Sequence, residues 1–316
     1  MKIAFFDTGI HNTILYTNLI DNGYDVIEIK SHSITTLNNI KVDFVYPTFA
    51  DTQLSWITQY NINNNLIGIK QKTADLIKTK DLYYKIFNEL NIPCPKVYRV
   101  IKCDKNLLYN IPKDIIYPCI VKPFDGTGGC DVYIASDHND LILFLSKTFL
   151  FQRKYYNKSV ILQEYVQGSI VSIAGRVLNN EIKVDMFYDI ESNSFPYAAQ
   201  TASVYPSKYN DKLTDIVNHL KRFIDYIELD NYPFMLDVIV ADDVYFIDFG
   251  ARVSFSPQFL MWHGGEKNYG IKLLNSILYQ QDFEMNSIRP ISFRVKPTDK
   301  ILKSDSDVLK YGYEII

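Results

Sequence analysis

The segment MLDVIVADDVYFIDFGAR, Met235 to Arg252, constrains the fold of this 316-residue chain more than any other. Two strand-like runs flank Ala241-Asp242-Asp243, a turn-forming stretch, so the segment predicts an antiparallel hairpin. Asp237 and Asp248 stand inside the two runs, eleven residues apart, and carry charge onto neighbouring strands. Two such carboxylates repel each other strongly unless a cation lies between them. Asp242 and Asp243 are read as solvated turn residues. An aspartate in a strand can also cap a turn or pair with an arginine, and Arg252 is then the partner for Asp248.

A distant segment, IVKPFDGTGG from Ile120 to Gly129, adds the opposite charge. Lys122 sits on a predicted strand before Pro123, and Gly126, Gly128 and Gly129 offer backbone N–H groups that can approach phosphate oxygens closely. No Gly-Lys-Ser or Gly-Lys-Thr ends the run, so it is not a Walker loop; taken alone, an ordinary hairpin turn accounts for it. Joined to the acidic hairpin, it describes a site for a metal-bound nucleoside triphosphate.

The remaining pattern is that of a folded protein of two or three lobes. Strand-like runs at 2–6, 24–29, 42–47 and 66–69 alternate with helical stretches at Thr13 to Leu19 and near Gln53 to Tyr60, which predicts a small parallel sheet with flanking helices over residues 1–72. Its first turn holds Gly9 without a GxGxxG pattern, so a dinucleotide site there has little support. Thr73 to Leu90 reads as a linker helix, with Thr73 as N-cap and Asn91 and the prolines of IPCP as its stop. Strands follow at 97–101, 119–123 and 130–135, with helical patterning near Asp140 to Ser146. A tyrosine-rich joint is placed at 151–158. Strands at 159–166, 170–178 and 181–190, a helix near Leu213 to Tyr226 and the acidic hairpin complete the pattern.

The 33 basic and 36 acidic residues nearly cancel, to a formal charge of −3, and no basic tract marks a nucleic-acid surface. Asp7 interrupts the N-terminal apolar run before a signal-peptide core would end, and no stretch reaches the roughly 18–20 apolar residues of a membrane helix. A soluble, cytoplasmic protein is expected. Cys94, Cys103, Cys119 and Cys130 show no CxxC pair and no zinc-like spacing, so they read as free thiols.

From about residue 73 to 260 the sequence resembles the ATP-grasp enzymes, in which two α+β lobes clamp ATP, and the resemblance extends to the N-terminal lobe. It implies an ATP-grasp fold with an N-terminal Rossmann-like domain at 1–72, a linker helix and small lobe at 73–158 and a large lobe at 159–316. Lys80, eleven residues before Asn91 of Asn91-Ile92-Pro93, occupies the position of the family's first phosphate-binding lysine, with Lys78 and Lys85 as surface alternatives. Lys122 occupies the second, and Gly126, Gly128 and Gly129 the loop that closes over the triphosphate. Gln163, Glu164, Tyr165 and Val166 match the adenine hinge, Asp237 and Asp248 the metal ligands, and Arg252 the arginine that steadies the transferred phosphoryl group. ATP and Mg²⁺, with Mn²⁺ as a substitute, are the implied cofactors.

Two positions depart from the family pattern. Gly250 stands where many members carry a metal-binding asparagine, and Gly168-Ser169-Ile170-Val171-Ser172 lacks the acidic residue that often holds ribose. The activity implied is ADP-forming carboxylate–amine ligation through an acyl phosphate, on small-molecule substrates such as amino acids or short peptides. A kinase using the same site and a non-catalytic nucleotide-binding module are the alternatives. A homodimer is compatible with the resemblance. Arg176 and the stretch Trp262-His263-Gly264-Gly265, read as a loop, are candidates for the acceptor side.

Overall fold

The computed structural model describes residues 1–7, 13–30, 37–49, 51–102, 107–124, 132–151, 159–192, 200–296 and 312–315. Strands β1 (Lys2–Asp7), β2 (Asp25–Lys30) and β3 (Phe44–Val45) pair in parallel, in the order β2-β1-β3. Ile3, Ala4, Phe5 and Phe6 are all buried, as expected of a central parallel strand covered on both faces. Helix α1 (Thr13–Asp21) links β1 to β2, and a single turn at Asp51–Gln53 leads into α2 (Leu54–Asn63). The expected strand at 66–69 does not form: the segment is an irregular connection whose Ile67 faces solvent, and it pairs with no strand among the described residues.

The linker is two helices, α3 (Gln71–Ile77) and α4 (Lys80–Glu89), rather than one. Thr73 is no N-cap; it lies buried within α3, where its hydroxyl donates to the Ile227 carbonyl at 2.7 Å. The cap position of α4 is Thr79, in extended conformation, with its hydroxyl donating to Asp81 at 2.7 Å. The helix stops at Asn91, which takes a left-handed φ of 50° while the next amide, on Ile92, donates back to the Phe87 carbonyl. Asparagine tolerates that conformation better than most residues.

Strands β4 (Val97–Lys102), β5 (Cys119–Pro123), β6 (Tyr133–Ala135) and β7 (Ser159–Glu164) form an antiparallel sheet of order β4-β7-β5-β6. Helix α5 (His138–Phe151) covers it, with Phe144 stacked on Tyr133 at 4.8 Å. This sheet has an apolar core of its own. Because β7 pairs into it, the change of sheet falls at 165–168 and not at 151–158, of which residues 152–158 lie outside the described residues.

A larger antiparallel sheet holds β8 (Ser169–Leu178), β9 (Glu181–Ser192), β10 (Gln200–Tyr205), β11 (Tyr232–Val240), β12 (Val244–Gly250), β13 (Ile291–Lys296) and β14 (Gly312–Ile315), in the order β12-β11-β8-β9-β10-β13-β14. Gly168 opens it: a Cβ there would lie 2.5 Å from the Val240 carbonyl oxygen and from Ile239. Helix α6 (Leu213–Ile227) buries Ile216, Leu220, Phe223, Ile224 and Ile227, a helical stripe. Helices α7 (Phe255–Gly264) and α8 (Tyr269–Tyr279) had no expectation from sequence. Trp262, His263 and Gly264 are the last turn of α7, and only Gly265 lies beyond it, with φ of 125°. No described helix is long and apolar enough to cross a membrane.

Phe87 of α4 meets Phe223 of α6 at 4.8 Å and Phe246 of β12 at 5.5 Å, edge to face. Through this contact the linker helix shares the core of the large sheet and of the N-terminal lobe. Phe87→Ala is expected to cost about 3–5 kcal/mol, lowering the urea midpoint without changing the m value. A loss below about 1 kcal/mol would show that α4 is held by other means.

Candidate functional site

Asp237 and Asp248 are direct cross-strand partners on β11 and β12. Immediately after the pair the register shifts, so that Val238 faces Phe246 and Ile247 is left as the extra residue of a bulge. A bulge re-aims the backbone, and here the Ile247 carbonyl accepts the Tyr84 hydroxyl at 2.7 Å and, more distantly, the Lys122 ammonium at 3.5 Å.

Helix α4 delivers Lys80, Tyr83 and Tyr84 to the hairpin from neighbouring positions on one helical face. The Lys80 ammonium and the Tyr83 hydroxyl both donate to Asp248 Oδ1 at 2.5 Å, and the Phe249 amide donates to the same oxygen at 3.1 Å. Burial alone would raise the Asp248 pKa, but Lys80, with help from Tyr83 and Lys122, holds it below the usual carboxylate range. Lys78 and Lys85, by contrast, lie exposed and pair with Asp75 and Asp81.

Lys122, buried on β5, donates to the Tyr84 hydroxyl at 2.9 Å and stands 4.9 Å from the centre of that ring. Burial and the neighbouring Lys80 ammonium lower its pKa to about 7, against the pull of Asp248. Gly126, Gly128 and Gly129, which follow it, lie outside the described residues, as do Cys103 and Cys130.

Asp237 is in a different state from its partner. Its Oδ1 is shielded from solvent and has no hydrogen-bond partner among the described residues. Burial and the Asp248 carboxylate push its pKa up to about 6, against the opposing effects of Ser172, Lys80 and Arg252. Arg252, just past β12, does not pair with Asp248. Its Nε and Nη2 donate to the two oxygens of Asp51, at 2.8 and 2.9 Å.

The hinge candidates occupy the passage between the two sheets. Gln163 is registered against Val97 and Ile120, and its buried side chain donates to the Pro95 carbonyl at 3.3 Å. Glu164 closes a reciprocal pair with Lys96, amide to carbonyl and amide to carboxylate. Tyr165 and Val166 follow the strand, outside the registers of its two ladders. Arg176 is not available to a substrate: it is buried, ion-paired with Asp185 and Asp282, and stacked 3.5 Å over the Phe283 ring. His263 packs against Phe259 at 4.3 Å.

A family model for the ATP-grasp domain matches residues 77–255, more than half of the chain. The protein belongs to the ATP-grasp family. The ATP-grasp chain is also 28% identical, over 66% of its own length and 78% of the relative's, to the alpha-aminoadipate–LysW ligase LysX of Saccharolobus solfataricus. Its fold matches the crystal structure of an L-amino acid ligase from Bacillus licheniformis with a TM-score of 0.76, at 14% identity, over 95% of this chain and 80% of that one. It also matches N5-carboxyaminoimidazole synthetase from Staphylococcus aureus complexed with ADP, with a TM-score of 0.67 at 15% identity, over 93% and 82%. At these identities the structural likeness is one of fold. It bears out the expected ATP-grasp architecture with its N-terminal parallel sheet and two α+β lobes.

The donor set of this ATP-grasp site suits a hard divalent cation. Asp248 presents Oδ2, on which no hydrogen bond falls among the described residues, beside a partner carboxylate with an orphaned oxygen. No group of three or more His, Cys, Asp or Glu that could hold a metal occurs among the described residues. Mg²⁺ held by two carboxylates commonly keeps water and phosphate oxygens as its other ligands.

Sequence reasoning missed Asp51, Tyr83 and Tyr84. The two tyrosines look like part of the apolar stripe of α4, yet a buried tyrosine hydroxyl needs a partner, and a Tyr-Tyr pair three and four residues after a lysine was the available signal. Asp51 carries no such signal, because 201 residues separate it from Arg252.

Phosphate against Lys122 favours its charged form, so nucleotide binding should take up a proton above pH 7. Affinity is expected to fall as pH rises from 7 towards 9, by up to roughly tenfold per pH unit. Calorimetry at pH 8 in buffers of different ionisation enthalpy should register that uptake, and Lys122→Met should abolish it. Binding without proton exchange would contradict the assignment.

Proposed function

We propose that this protein is an ATP-dependent, ADP-forming ligase that joins a small carboxylate to an amine. The observation that carries this reading is the pair of facing carboxylates Asp237 and Asp248, with Lys80 bonded to Asp248 and with Lys122 and Arg252 near enough to act on the pair electrostatically. Neither the cations nor the carboxylates satisfy one another completely: Lys122 is buried with a depressed pKa, and Asp237 keeps an orphaned oxygen. Phosphate held by the lysines and a divalent cation held by Asp237 and Asp248 would satisfy both.

In this reading Asp237 and Asp248 hold Mg²⁺, which neutralises charge on the phosphates when bound. Lys80 and Lys122 bind phosphate oxygens, and Arg252 holds the transferred group with a planar fork suited to it. Gln163 to Val166 receive the adenine, the backbone of Tyr165 and Val166 foremost. Gly126, Gly128 and Gly129 cover the triphosphate. The carboxylate oxygen attacks the γ-phosphorus, the bond to ADP breaks, and the acyl phosphate passes its acyl group to the amine with release of phosphate. Exclusion of water protects that mixed anhydride from hydrolysis, and the separate core of the four-stranded sheet allows it to close as a unit.

Amino acids or small peptides are the substrates proposed. The name of the LysX relative includes alpha-aminoadipate, an amino acid, and the matching Bacillus licheniformis structure is an L-amino acid ligase. Incubation with Mg-ATP and pooled amino acids is expected to release ADP together with a product equal in mass to two pool members less water. Asp248→Ala should reduce the rate by at least about 100-fold, and chelation of divalent cations should do the same. ADP release with a phosphorylated product and no amide would contradict ligation and indicate phosphotransfer to a stable acceptor.

A further inference from the structure

The guanidinium of Arg252 is held by the N-terminal lobe rather than by the strands that carry the carboxylates. Asp51, in the single turn before α2, takes the Nε–Nη2 edge with both carboxylate oxygens, at 2.8 and 2.9 Å. Nη1 donates to the Val253 carbonyl at 3.3 Å, and the Val253 amide in turn donates to the Pro47 carbonyl at 3.0 Å. The chain just past β12 is thus tied to residues 47 and 51 by side chain and backbone together. A side-on carboxylate leaves the other edge of the guanidinium, between Nη1 and Nη2, with an N–H on each nitrogen for an anion. The side chain of Arg252 is 14% exposed, so it is not sealed from solvent.

Gly250 supports the same contact from below. A Cβ on Gly250 would lie 2.9 Å from Asp51 Oδ1 and 3.5 Å from Arg252 Nε. Any side chain at position 250 would therefore crowd the Asp51 carboxylate and shift it against the arginine. The glycine that departs from the family pattern and the aspartate that sequence did not single out are two parts of one arrangement.

We infer that Asp51 is a positioning residue that fixes the fork of Arg252 for the transferred phosphoryl group, and that the N-terminal lobe is thereby part of the catalytic apparatus. The inference rests on the proposed role of Arg252. Burial would lower the Arg252 pKa, but Asp51 outweighs it and keeps the guanidinium charged. Asparagine at position 51 could accept from one nitrogen only, and its amide would oppose the other, so the bidentate geometry would be lost.

The test compares binding of Mg-ADP and Mg-AMP-PNP by calorimetry in wild type, Asp51→Asn, Gly250→Ala and Arg252→Met, with thermal unfolding of each. Wild type is expected to bind the triphosphate analogue at least about tenfold more tightly than ADP, and this preference should fall to within about threefold of unity in all three variants. Affinity for ADP should stay near wild type in Asp51→Asn and Gly250→Ala, which a merely structural role would not explain. The double variant Asp51→Asn/Gly250→Ala should be no worse than either single one. If Asp51→Asn and Gly250→Ala keep the wild-type preference while Arg252→Met loses it, the positioning role of Asp51 is wrong and the role of Arg252 stands. If Arg252→Met keeps the preference, the proposed role of Arg252 fails and the inference fails with it. Should Asp51→Asn not fold, Gly250→Ala reports on the same contact.

Discussion

Two carboxylates facing each other on adjacent strands, Asp237 and Asp248, are the constraint to which the rest of the site answers. Negative charge cannot be brought into a folded interior without compensation. The nearest compensation, from Lys80, Tyr83 and the Phe249 amide, falls entirely on one oxygen of Asp248. Asp237 is left with a raised pKa and an orphaned oxygen. Such an imbalance destabilises the folded chain, and a bound cation would relieve it.

The elements around the pair are arranged to maintain this imbalance. The bulge at Ile247 gives Tyr84 and Lys122 a shared carbonyl, while Phe87, on the next turns of the same helix, anchors α4 in the aromatic core. Lys80 comes from a linker helix, Lys122 from the four-stranded sheet and Arg252 from the end of the large sheet, where Asp51 of the N-terminal lobe holds it. Cations on separate units around fixed carboxylates suit a site that forms fully when those units come together on a ligand.

Much of this was legible in the sequence because charge on a strand is conspicuous. Lys122, Asp237 and Asp248 interrupt apolar runs, and turn composition at 241–243 set the hairpin register closely enough to pair the two aspartates. The break between α3 and α4 was not legible: the apolar spacing continues across it, and the identity of Thr73 as a cap or a buried hydroxyl depends on the Ile227 carbonyl, 154 residues away. The strand at 66–69 was overread for a related reason, since β-branched composition cannot show whether a pairing partner exists. Tyr83 and Tyr84 reach the hairpin, and Asp51 reaches Arg252, through contacts separated by more than 160 residues. Local pattern does not reach that far.

The proposed use of ATP, to activate a carboxylate, can be followed by isotope transfer. With carboxylate substrates labelled with ¹⁸O, attack on the γ-phosphorus carries one labelled oxygen into the phosphate that is later released. Carboxylate activation should yield phosphate carrying a single ¹⁸O for each ADP formed. Unlabelled phosphate from a turning-over enzyme would mean that water, and not the carboxylate, had taken the phosphoryl group, and would contradict it.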